Sequence, residues 1–101
     1  MVEIKSITLY DKSFIGMHLH LPGYPLYLIT STKTIITQNM FDVRYFRKEL
    51  PIAVILTEYR YGFEAMLNAR VIAMNEIAKA YGVTTLMNGK EALLLCETKE
   101  A

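Results

Sequence analysis

The chain has 101 residues, 52% of them apolar and 21% charged, and its 11 Lys and Arg against 10 Asp and Glu leave a net charge of +1. That balance excludes disorder, which needs low hydrophobicity with high net charge, and lacks the Lys/Arg excess on which nucleic-acid binding rests. A chain of this size buries about 65% of the surface its unfolded form exposes, enough for one core without staples. The single cysteine, Cys96, excludes an internal disulfide and fits a reducing cytoplasm.

Residues 2–10 (VEIKSITLY) are rich in β-branched types and predict a first strand. Val2 and Ile4 share one parity and Ile7 and Leu9 the other, so the phase slip at Lys5-Ser6 predicts a bulge or a strong twist. After a turn at Asp11-Lys12, residues 14–21 alternate: Ile15, Met17, Leu19 and Leu21 on one face, Phe14, Gly16, His18 and His20 on the other. The spacing predicts a half-buried strand hairpinned to the first, with its histidine face turned to solvent. A charge-free run from Ser13 to Thr32 is long enough to cross a bilayer, but Pro22, Gly23 and Pro25 would break a helix there, so two strands meeting at a Pro-Gly turn are expected. The first residues lack a basic segment followed by an apolar run, so no signal peptide is expected, and the protein reads as soluble and cytoplasmic.

Residues 26–30 and 34–38 predict a third and a fourth strand. At Asn39 the period changes: Asn39 is a cap, Asp42 an acid in the first turn, and Met40, Val43, Phe46 and Leu50 an apolar stripe that ends at Pro51. Arg44, Arg47 and Lys48 form its solvated basic face. Residues 52–57 (IAVILT) predict a strand covered on both faces. A second helix is expected from Phe63 to Tyr81, closed by Gly82 as a left-handed cap, followed by a short sixth strand over 83–87. Asn88-Gly89-Lys90-Glu91 forms a capping box for a third helix, and residues 97–101 are a frayed tail. The expected fold is therefore α+β in one domain over 1–101: a single mixed sheet with an antiparallel hairpin N-terminal half and a β-α-β-α-β-α C-terminal half.

Two strand-helix-strand crossovers would make the fourth, fifth and sixth strands parallel, so that their carboxyl ends share one edge. Gln38, Asn39, Asp42, Glu58, Arg60, Asn88 and Lys90 would gather there. Helix starts attract anions, Arg60 and Lys90 add positive charge, and Glu58 adds an acceptor or base. The expectation is a self-associating domain that binds a small anionic ligand on this edge. The opposing reading leaves Asn39 and Asn88 as plain helix caps and Arg60 paired with Glu58.

His18 and His20 form an H-x-H pair on one strand face, suited to two ligands of a zinc or iron site whose third would be Glu3 or Glu58. A metal-dependent enzyme on this pair is the first alternative, and a purely structural subunit of an assembly is the second. As the leading reading, no metal and no cofactor are assigned, since no phosphate loop, catalytic triad or carboxylate pair is discernible. Tyr24 and Tyr27, with Phe14, offer a sticky patch for another subunit or are ordinary sheet residues. Cys96 follows three leucines and reads as a buried, inert thiol.

Three segments, Ile35–Val43 (IITQNMFDV), Arg60–Ala69 (RYGFEAMLNA) and Gly82–Leu94 (GVTTLMNGKEALL), resemble the YunC-like family of small bacterial and archaeal proteins, a domain of unknown function. The resemblance implies no activity to transfer, but it falls on the same two turns, Gln38–Asp42 and Glu58–Gly62. The family's Cys-Gly lies at Gln38-Asn39, and its proline lies at Arg70, which lets the second helix run unbroken here.

Overall fold

A computed structural model describes residues 2–38, 52–58 and 61–98 (of Tyr24, the backbone alone). One mixed sheet holds six strands in sequential order: β1 (Val2–Leu9), β2 (Lys12–Leu21), β3 (Tyr24–Thr30), β4 (Thr34–Gln38), β5 (Ala53–Thr57) and β6 (Val71–Met74). Helices α1 (Phe63–Asn68), α2 (Glu76–Ala80) and α3 (Gly89–Thr98) complete it, so the fold is α+β. The helix expected from Asn39 to Leu50 lies outside the described residues.

β1 to β4 pair antiparallel in meander order, and β4 pairs β5 in parallel, as the crossover requires. The next step departs from expectation. β6 is antiparallel to β5 and comes from Val71–Met74, inside the segment expected to be helical. The helix stops because Ala69 is extended, at φ −76° and ψ 151°, and its carbonyl accepts from Gly89 N–H at 2.9 Å while Val71 N–H donates to Met87 O. Asn75 then starts α2: its side chain accepts from Ala78 N–H and Val54 N–H and donates to Ile52 O. One amide thus caps a helix and ties down the start of β5. Residues 83–87 form turns and not a sixth strand, whereas Gly82 does close α2 in the left-handed region at φ 102°. The capping box is present, with Glu91 N–H donating to Asn88 Oδ1 at 2.8 Å and Asn88 N–H to Glu91 Oε1 at 3.0 Å.

The core lies on one face of the sheet, where Phe14, Ile29, Ile36 and Ile55 meet Met66, Leu67, Ala92, Leu93 and Cys96. Two glycines admit the helices. A Cβ on Gly16 would stand 2.8 Å from the Phe63 ring, and one on Gly89 would stand 2.9 Å from Met66 O. The expected facing of β2 is inverted, since Phe14 is 2% exposed and Ile15 is 52% exposed. His18 and His20 therefore share the helix-side face, just past the line where Phe63 crosses Gly16. β1 has no bulge; it pairs in unbroken register from Val2 to Leu9. Its change of parity records cover, because Ile7 and Leu9 pack on the core while Val2 and Ile4 lie exposed on the other face.

Candidate metal centre

Pairing of β1 with β2 puts Glu3 opposite His18, and the two-residue repeat brings His20 to the same side. The His18 ring is nearly buried, its side chain 12% exposed against 60% for Glu3. It stacks on Tyr27, the residue across from it on β3, at 4.2 Å and 11°. The His20 ring lies 3.9 Å away on a tilted plane, and Tyr27 meets Phe63 edge-on at 5.2 Å. Tyr27 is fixed in turn, its N–H donating to Gln38 Oε1 at 3.2 Å and its carbonyl accepting from Thr37 Oγ1 at 2.9 Å. His18 is thus a preset group, while Glu3 and His20 are exposed and adjustable.

One ligand atom each from Glu3, His18 and His20 lie within 4.8 Å of one another, the one such grouping among the described residues. His18 Nδ1 stands 3.4 Å from Glu3 Oε1. That is long for a hydrogen bond, whose N···O distance centres near about 2.9–3.0 Å. It matches the edge of a zinc tetrahedron, about 3.4 Å for metal–ligand distances of about 2.0–2.2 Å. His18 Nε2 is buried with no hydrogen-bond partner among the described residues. An ion held at Nδ1 beside Glu3 would leave this second ring nitrogen as it is, so it bears on the packing of the ring and not on the ion. Two imidazoles and one carboxylate leave coordination positions open on a first-row metal, the donor set of catalytic rather than closed structural centres.

The residues expected on the carboxyl edge divide. Gln38 and Glu58 lie at the ends of β4 and β5, where Gln38 pairs with Thr57. Gln38 is fully buried, with its side-chain oxygen engaged by Tyr27 N–H. Glu58 N–H donates to Arg70 O at 3.0 Å, its carboxylate lies 3.6 Å from Arg70 Nε, and Arg70 bridges to Asn88. Glu58 and Asn88 thus both meet Arg70, one through its side chain and the other through a backbone bridge, while Gln38 ends β4 beside Thr57. Lys90 stands apart, 5.6 Å over the Tyr10 ring and on the wall of a groove with Lys5 and Asn68. Asn39, Asp42 and Arg60 lie outside the described residues. Of the expected sticky patch, Phe14 is core and Tyr27 packs beside it, while the Tyr24 side chain is not described. Cys96 is buried, and burial pushes its thiol from the ordinary 9.0 up to about 11. No helix among the described residues is long and apolar enough to cross a membrane.

No family model matches the chain, and no curated protein matches it either. Among solved structures, it resembles a protein of unknown function from Thermoplasma acidophilum at a TM-score of 0.82 and 17% identity, over 92% of this chain and 90% of that one. At that identity the likeness establishes the shared fold alone. The YunC-like resemblance rests on the three sequence segments and receives no support from these comparisons.

Proposed function

We propose that this chain is a cytoplasmic protein that binds a divalent first-row transition ion, zinc foremost, through Glu3, His18 and His20. The single observation that carries the reading is the 3.4 Å separation of His18 Nδ1 and Glu3 Oε1 beside a second imidazole. A preset imidazole with two adjustable ligands lets the site close on an ion by side-chain torsions alone. The open positions suit Lewis-acid chemistry on a bound oxygen, which makes a metal-dependent enzyme the functional class the donor set favours. Zinc titration of metal-stripped protein by calorimetry tests it. The expected result is one ion per chain, with affinity lowered at least about 100-fold by His18→Ala, a loss no smaller than that from removing supporting groups around a metal. Equal zinc affinity in wild type and the His18→Ala, His20→Ala double variant would reject the site.

A second reading keeps the anionic ligand but moves it to the groove of about 370 Å³ between β1 and α1, where Lys5 and Lys90 line the walls. Inorganic phosphate should then shift the resonances of groove residues, and Lys90→Ala should abolish the shift. Unperturbed spectra at saturating phosphate would discard it.

A further inference from the structure

The two edges of the sheet are protected very differently. β6 has four residues, a register irregularity lies opposite it on β5, and backbone contacts from Met87 and Asn88 flank its start. β1 runs eight residues without a proline or a bulge, and Val2 through Ser6 are all exposed. Natural sheets shorten, bend or cover such an edge, because its unpaired backbone groups template pairing with another chain. Here the edge instead presents apolar side chains, Val2 at 51% and Ile4 at 68% exposure.

We propose that β1 is where two copies of this chain join, by antiparallel pairing of β1 with β1 of the second copy about a twofold axis at Ile4. This goes beyond the metal reading and stands without it. A twofold axis perpendicular to the sheet pairs residues of like parity, so each register is centred on one residue. Centring on Glu3 sets two carboxylates face to face, and centring on Lys5 sets two ammonium groups face to face; like charges directly opposite destabilise a ladder. Centring on Ser6 or Ile7 faces Lys5 with Ile7 or Leu9. Centring on Ile4 alone among these puts Glu3 of each copy opposite Lys5 of the other, with Ile4 against Ile4 and Val2 against Ser6. The run Val2-Glu3-Ile4-Lys5-Ser6 is antisymmetric in charge about its middle, which selects a second copy of the same strand as the occupant. Glu3 serves both roles without conflict, since a carboxylate accepts on two oxygens and Oε1 is the one beside His18.

Sedimentation equilibrium in the presence of EDTA, so that no metal can bridge copies, is the test. The wild type should dimerise. Lys5→Glu and Glu3→Lys should each raise the dissociation constant at least about tenfold, because two symmetry-related pairs turn repulsive at once. The double charge swap E3K/K5E should recover the wild-type value. Both positions are exposed, so folding should survive each change, and circular dichroism checks that it does. A monomeric wild type, a dimer indifferent to Lys5→Glu, or a double swap that fails to recover would each overturn the proposal.

Discussion

The hairpin half and the helix-covered half of this molecule are built from equally strand-prone sequence, yet they bury it to very different extents. Every residue of β5 is buried, whereas in β1 Ile7 and Leu9 alone are partly buried and in β2 Phe14 and Gly16 alone are fully so. The difference is cover. α1 reaches the sheet as far as Gly16, where the Phe63 ring rests on the strand opposite Lys5, and the face continues past that line with Glu3, His18 and His20 in place of core residues. A strand's pattern says which residues share a face, while the neighbouring layer decides whether that face is a core or a site.

Substitutions that remove packing break the comparison most sharply. Leu93→Ala, buried in the core from α3, should lose about 2–5 kcal/mol in urea denaturation, while Ile15→Ala on the uncovered face should change stability by no more than about 0.5 kcal/mol. Equal losses at the two positions would mean that cover does not set the difference. Gly89→Ala should cost about 1–3 kcal/mol, because the added methyl meets Met66 O, a backbone atom that cannot turn aside. Asn75→Ala should cost about 1–2 kcal/mol by uncapping α2 and freeing Val54 N–H and Ile52 O, seen as faster hydrogen exchange at Val54.

The contribution of Cys96 shows itself only at alkaline pH. Its thiol pKa is raised by burial to about 11, so the unfolded chain releases the proton first as pH rises. The stabilisation is whole below about 9 and declines between about 9 and about 11, so the urea midpoint should fall across that window in the wild type and less in Cys96→Ala. A midpoint that climbs there would contradict the assignment.

The first four strands, the fifth and the last helix were legible because each carries a local signal: alternation, an unbroken apolar run, a capping box. The stretch from Phe63 to Tyr81 misled because Phe63, Met66, Leu67, Val71, Met74 and Ile77 fit a helical period as well as they fit a helix, a strand and a helix in turn. Asn68 and Asn75 were the available warning, since asparagine favours helix ends over helix interiors. Once Val71–Met74 became a strand, it had to run back along β5, and the third parallel edge disappeared. Glu58 and Asn88 are still linked through Arg70, whose bridge to Asn88 is a long-range contact that no local pattern announces. The histidine pair was visible as H-x-H, and its third ligand as one of two carboxylates. The choice of Glu3 required the register of β1 on β2, which puts Glu3 opposite His18. What the sequence could not convey was that the histidines lie on the helix side, because the reach of α1 follows from tertiary packing.

The proposed metal centre requires Glu3, His18 and His20 to close on a single ion. Imidazole nitrogen resonances of both histidines, followed by NMR as zinc is added to metal-stripped protein, test this directly. The ring resonances of His18 and His20 should move together and stop moving at one zinc per chain, with the Glu3 carboxylate shifting in step. Zinc that moves neither ring, or moves His20 while leaving His18 where it was, would contradict it.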